Sequence, residues 1–156
     1  MMEYCLKNVI KNINNHLKSG LKLNTALSIV EKYNCNDWQK YCKFSNITYK
    51  RNRVYINDLF DIYVICWNNK QKSPIHDHAK NGCIMKILQG EIFQQLFTPD
   101  VKFLKQITNK KNNVSYIDNF IGLHKIINSD TKTISLHIYS PPLYKGNIYT
   151  QNGIEN

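Results

Sequence analysis

From about residue 47 onward the apolar residues of this chain recur at every second position, in short runs closed by turn-forming residues, and this pattern restricts the fold more than any other. The runs cover residues 47–50, 53–57, 62–67, 74–78, 82–88, 91–97, 103–107, 114–117, 123–127 and 133–139. Asn68-Asn69, Gln89-Gly90, Thr98-Pro99-Asp100, Asn112-Asn113, Asn128-Ser129-Asp130 and Pro141-Pro142 separate them. Many short strands at such spacing predict an all-β sandwich or small barrel. Before residue 46 the period is helical. Leu6, Val9, Ile10, Ile13 and Leu17 predict an amphipathic helix over 3–18 that ends near Ser19-Gly20. Asn24 is a candidate cap for a second helix with Leu27 and Val30, and Asn36 for a short third one that buries Trp38 and Tyr41. The expected organisation is one domain, with 1–45 as a helical cap and 46–156 as a β-barrel.

A chain of 156 residues with 42% hydrophobic content suits a single core able to enclose a small ligand. No apolar run approaches a membrane span, and Glu3, Lys7 and Asn8 stand where a signal peptide would be apolar, so a cytoplasmic location is expected. The odd set Cys5, Cys35, Cys42, Cys66 and Cys83 lacks CxxC spacing, which argues against a disulfide framework and a zinc ribbon; reduced thiols are expected. The net charge of +10 comes from scattered lysines, so no nucleic-acid partner is expected. Of 21 basic residues only Arg51 and Arg53 are arginines. A guanidinium kept in so lysine-rich a chain is a candidate for carboxylate recognition.

Four of the five histidines, His76, His78, His124 and His137, lie in or beside the strand-like runs. In a strand His76 and His78 would share a face, with Asp77 on the other, so two imidazoles converge on one point. A metal site inside the barrel is expected. Three neutral imidazoles would leave a divalent ion its full charge and open coordination positions, and Fe²⁺ and Zn²⁺ both accept such a set, so the residues alone leave a zinc hydrolase open.

His76-x-His78, Gly90 seven residues after Cys83, and Gly122-Leu123-His124 resemble the two-motif metal site of the cupin superfamily. A glutamate normally completes that site, but Cys83 stands in its place, as in the thiol dioxygenase branch. Ser73-Pro74-Ile75-His76-Asp77-His78, Lys86-x-Leu88-Gln89-Gly90, Ile121-Gly122-Leu123-His124, Ser135-Leu136-His137-Ile138-Tyr139-Ser140-Pro141-Pro142, Tyr49-x-Arg51-Asn52 and Cys66-Trp67 are all similar to the cysteine dioxygenase family, over roughly residues 3–145.

The resemblance implies a cupin β-barrel, jelly-roll-like, that oxidises L-cysteine with O₂ to cysteine sulfinic acid in cysteine catabolism. It implies Fe²⁺ held by His76, His78 and His124. Arg51, with Tyr49 beside it, would hold the substrate carboxylate. Related mercaptopropionate dioxygenases carry glutamine there, which favours cysteine. Ser135, His137 and Tyr139 would form a hydrogen-bonded row that places the tyrosine hydroxyl beside the iron, with His137 not a ligand. Cys83 and Tyr139 match a pair that some members join by a thioether. Trp67 and Ile65 would line the pocket. A monomer is expected, without membrane or nucleic-acid partner. Another small thiol, an N-terminal cysteine, or a non-catalytic binding role stay open. Two departures stand out: Lys70 replaces the glycine that opens the first motif, and the chain stops at Asn156 where typical members add further strands, which implies a pocket lacking part of its wall.

Overall fold

The helical spacing near the N-terminus is realised as α1 (Leu6–Lys18), which buries Leu6, Val9 and Ile13. Its first turn meets a carboxylate from a distant segment: the Leu6 N–H donates to Asp37 Oδ2 at 3.0 Å, an anion at the positive end of the helix. The chain continues through a 3₁₀ turn, Leu23–Thr25, into α2 (Leu27–Glu31) and a second 3₁₀ turn, Asp37–Tyr41. Asn24 lies inside the first turn, so Ala26 takes the N-cap of α2 instead. Asn36 does take the N-cap of the last turn, but its side chain makes no capping bond. The expectation of wholly reduced thiols fails at Cys5 and Cys35, which form a disulfide across 30 residues. Spacing could not show this, because the two meet through backbone pairing. Asn34 N–H donates to the Tyr4 carbonyl at 3.1 Å, and Tyr4 N–H to Asn34 Oδ1 at 2.7 Å.

This is a computed structural model that describes residues 2–150 and the backbone of 153–155. The strands are β1 (Lys50–Ile56), β2 (Asp61–Trp67), β3 (Ile75–His76), β4 (Cys83–Gln89), β5 (Glu91–Phe97), β6 (Phe103–Lys110), β7 (Val114–Ile117), β8 (Leu123–Asn128), β9 (Thr133–Tyr139), β10 (Ile148–Thr150) and β11 (Gly153–Glu155). They make two antiparallel sheets, ordered β1-β2-β9-β4-β7 and β11-β10-β3-β8-β5-β6. The runs 47–50 and 53–57 become one strand with an irregularity between Arg53 and Tyr55. The run 74–78 shrinks to Ile75–His76, so strand alternation does not set the placement of His78. β10 and β11, after Pro141-Pro142, went unforeseen; β10 pairs with β3.

β9 is buried along its entire length because each face of its sheet is covered. On one face Ile62, Val64, Cys66, Ile84, Leu136 and Ile138 pack with Val9, Ile13 and Trp38 of the helical segment. Each such aliphatic side chain withdrawn from water contributes roughly 1.5–3 kcal/mol. On the other face Ile65, Trp67, Met85 and Ile87 meet Ile92 and Ile126 of the second sheet. Lys86 is buried on the helical face, where its ammonium donates to the carbonyls of Val30, Glu31 and Tyr33 at 3.1, 3.1 and 2.7 Å. It thereby caps the carbonyls at and just beyond the end of α2, where a cation is favoured. No helix among the described residues is long and apolar enough to cross a membrane.

Candidate metal centre

His76 and His124 face each other directly in the β3–β8 pairing, with their Nε2 atoms 2.9 Å apart. Gly122 lets β8 begin this close to β5: its φ is +141°, and a Cβ there would fall 2.6 Å from the Phe97 carbonyl oxygen. His78 arrives by another route. Its N–H donates to Asn119 Oδ1 at 2.7 Å while Asn119 Nδ2 donates to the His78 carbonyl at 3.0 Å, a two-point clasp on the loop after β3. One ring nitrogen from each of the three histidines lies within 4.8 Å of the other two.

The nitrogens are suited to a cation. His76 Nδ1 lies 2.9 Å from the Pro74 carbonyl, which only accepts, so Nδ1 carries the proton and Nε2 presents its lone pair. Both ring nitrogens of His78, and Nδ1 of His124, are buried without a hydrogen-bond partner. Burial keeps all three rings neutral: His76 is lowered, His78 is pushed down to about 3, and His124 falls well below its ordinary value. Two nitrogens each about 2.1 Å from one ion, at a right angle, stand about 3 Å apart, which matches the His76–His124 separation. Three neutral donors and no carboxylate preserve the charge of a divalent ion.

A row of polar groups runs along the inner face of the first sheet. Trp67 Nε1–H donates to Ser135 Oγ at 3.0 Å, Ser135 Oγ lies 2.8 Å from His137 Nε2, and His137 Nδ1 lies 3.2 Å from the Tyr139 hydroxyl. Burial pushes His137 down to about 3, with the Arg51 charge adding to the effect, and raises the Tyr139 phenol well above its usual range. His137 stands outside the three-histidine group. Cys83 is buried directly across β4–β9 from Tyr139, and burial raises its thiol to about 12. Tyr49 stacks on Trp67 with ring centroids 4.4 Å apart. Tyr49, Arg51, Ile65, Trp67, His76 and Tyr139 line a small cavity.

The residue-level reading missed three participants. Tyr63 places its ring under the Arg51 guanidinium carbon at 4.6 Å; its shared parity with Ile65 and Trp67 could have pointed to it. Asn119 carries no local signal. Asp77, between two of the histidines, accepts hydrogen bonds from Tyr144, from Asn147 N and Nδ2 at 2.8 Å each, and from Tyr149 at 3.2 Å. These bonds hold the segment after Pro142 against the histidine loop, where the Tyr144 ring stacks 5.9 Å from that of Tyr139. The chain after Pro142 thus folds back beside the histidines, with β10 paired to β3.

Comparisons with known proteins bear on the family and the fold. The family model described as cysteine dioxygenase type I matches residues 6–152. Cysteine dioxygenase type 1 of Danio rerio is 33% identical over 94% of this chain and 79% of its own length. The Rattus norvegicus protein of that name is 39% identical over 74% of this chain, and the match spans 63% of its length. Among solved structures, a Klebsiella pneumoniae protein with a double-stranded β-helix domain superposes with a TM-score of 0.59 at 16% identity, covering 73% of this chain and 89% of its own. A cupin protein from Desulfovibrio desulfuricans gives 0.53 at 17% identity, covering 70% and 98%.

Proposed function

The chain belongs to the cysteine dioxygenase type I family, and from that premise we propose that it is an iron-dependent thiol dioxygenase converting L-cysteine and dioxygen to cysteine sulfinic acid. The observation that carries this reading is the juxtaposition of three neutral, partner-seeking imidazoles with an Arg51-lined cavity and no carboxylate among the ligands. His76, His78 and His124 would hold Fe²⁺. Bound Fe²⁺ would supply neighbouring positions for a thiolate and dioxygen, so that both oxygen atoms end on sulfur with the thiolate as electron source.

The protein's own groups bind and orient. Arg51 offers its fork of N–H donors to the substrate carboxylate, which fixes direction as well as charge. The Trp67 indole can only donate, so it occupies a lone pair of Ser135 and leaves the serine hydrogen for His137 Nε2. His137 then carries its proton on Nδ1 and donates it to the Tyr139 oxygen. The phenol hydrogen is left free to point into the cavity, toward the substrate carboxylate or dioxygen. Because burial holds that phenol protonated, Tyr139 acts as a donor throughout the working pH range. We assign Cys83 and Tyr139 to a thioether pair, in which the thiol hydrogen and one ring hydrogen are lost and dioxygen takes up the two electrons.

The test is aerobic incubation of the iron-loaded protein with a panel of small thiols, reading sulfinate by mass spectrometry and iron by elemental analysis. His78→Ala is expected to abolish both bound iron and thiol-dependent oxygen uptake. Unchanged iron in that variant would remove His78 from the centre, and a wild-type protein inert toward every thiol would reject the function.

A further inference from the structure

Arg51 has an environment unlike that of an ordinary binding arginine. It joins neither of the ion pairs among the described residues, Lys70–Asp130 and Lys102–Asp100. Its guanidinium carbon instead lies over two tyrosine rings, 4.6 Å from the centroid of Tyr63 and 5.0 Å from that of Tyr139. Those rings stand 5.9 Å apart and nearly edge-on, at 77°. Aromatic faces attract the charge without consuming N–H donors, so the fork stays free for a ligand carboxylate. A protein carboxylate in the same place would have occupied the fork.

Tyr63 is itself anchored. Its hydroxyl donates at 3.1 Å to Oδ2 of Asp61, a carboxylate 1% exposed, and Oδ2 also accepts the Leu143 N–H at 2.9 Å. The other oxygen, Oδ1, is buried without a partner. A phenol donating to a carboxylate gains electron density in its ring, which strengthens the face presented to a cation. The alternation of β2 puts Asp61, Tyr63 and Ile65 on the cavity side, so anchor, platform and pocket wall come from one strand.

We propose that Tyr63, fixed by Asp61, is a specificity-determining positioning residue: it holds Arg51 as an unpaired fork and thereby selects thiols that carry a carboxylate. The inference rests on the functional reading above and extends it to a residue pair outside the metal centre. Tyr63 touches the guanidinium, not the substrate, so its influence acts through Arg51.

Anaerobic titration calorimetry of the iron-loaded protein tests this with L-cysteine, 3-mercaptopropionate and cysteamine, the last lacking a carboxylate. Tyr63→Leu is expected to weaken the two carboxylated thiols about tenfold and cysteamine by less than about twofold, with Tyr63→Phe intermediate because it keeps the ring but loses the Asp61 bond. In an Arg51→Gln background the Tyr63 substitutions should have no further effect on L-cysteine. Equal weakening of cysteamine and L-cysteine, an additive double variant, or unchanged L-cysteine affinity in Tyr63→Leu would each overturn the proposal. If Tyr63→Leu does not fold, Tyr63→Phe with and without Arg51→Gln decides on the same criteria. A wild-type protein that neither binds nor oxidises any of the thiols would instead bring down the functional reading.

Discussion

Lys70 has φ +59°, a left-handed conformation that costs a side-chain-bearing residue roughly 1–2 kcal/mol. It stands where the family's motif opens with glycine, and the backbone there keeps the glycine-like shape: Lys70 N–H donates to the Ser129 carbonyl at 2.9 Å. Glycine would relieve the strain and give back about 0.5–1 kcal/mol in chain entropy. Lys70→Gly is therefore expected to stabilise the fold by about 0.5–1 kcal/mol in denaturant titration, and a destabilised variant would show that the turn depends on the lysine. At Arg51 the prediction concerns binding. Arg51→Gln should raise the KM for L-cysteine far more than for cysteamine, measured by steady-state oxygen uptake; equal changes would mean that the guanidinium does not hold a carboxylate. The scarcity of arginine made Arg51 legible in the sequence. Its tyrosine platform was not, since Tyr63 could equally have been an ordinary strand residue until the ring was seen beneath the guanidinium.

At the scale of elements, register decides what chemistry is possible. β4 and β9 pair antiparallel with Cys83 opposite Tyr139 and Met85 opposite His137; a slip of one residue would turn Cys83 away from the phenol. This register leads to the expectation that aerobically prepared, iron-loaded protein loses about two hydrogens per chain by intact mass, beyond the loss at Cys5–Cys35. Cys83→Ser should abolish that loss, and its persistence in the variant would place the oxidation elsewhere. The strand runs were readable from alternation, and so was the inner row of Ser135, His137 and Tyr139. His78 was not positioned by alternation. β3 stops at His76, and the clasp from Asn119, 41 residues away, does what the strand was expected to do. Nor could the spacing of an odd set of cysteines announce the Cys5–Cys35 bond.

Across the whole molecule, His78, His124 and His137 are buried between two sheets with His76 half-buried beside them, and all four are held neutral. Their folded-state pKa values lie below the unfolded value near 6.5, so the unfolded chain binds more protons as the solution is acidified. The associated stability is complete above about pH 6.5 and is lost progressively as pH falls toward 3, the value to which His78 and His137 are pushed. At pH 5 each of these two costs the folded state about 2 kcal/mol. Calorimetry of metal-free protein should show the melting temperature falling from pH 7 to pH 5, with a shallower slope in His137→Asn; a flat wild-type profile would contradict burial of neutral rings. Local spacing by itself determined the period of each segment, hence helices before strands, and which polar strand residues share a face, because periodicity records which side chains must leave water together. Only the tertiary structure decided which loop clasps His78, which cysteines bond and which ring lies under Arg51, because those contacts join residues whose separation in the chain carries no trace of their meeting in space.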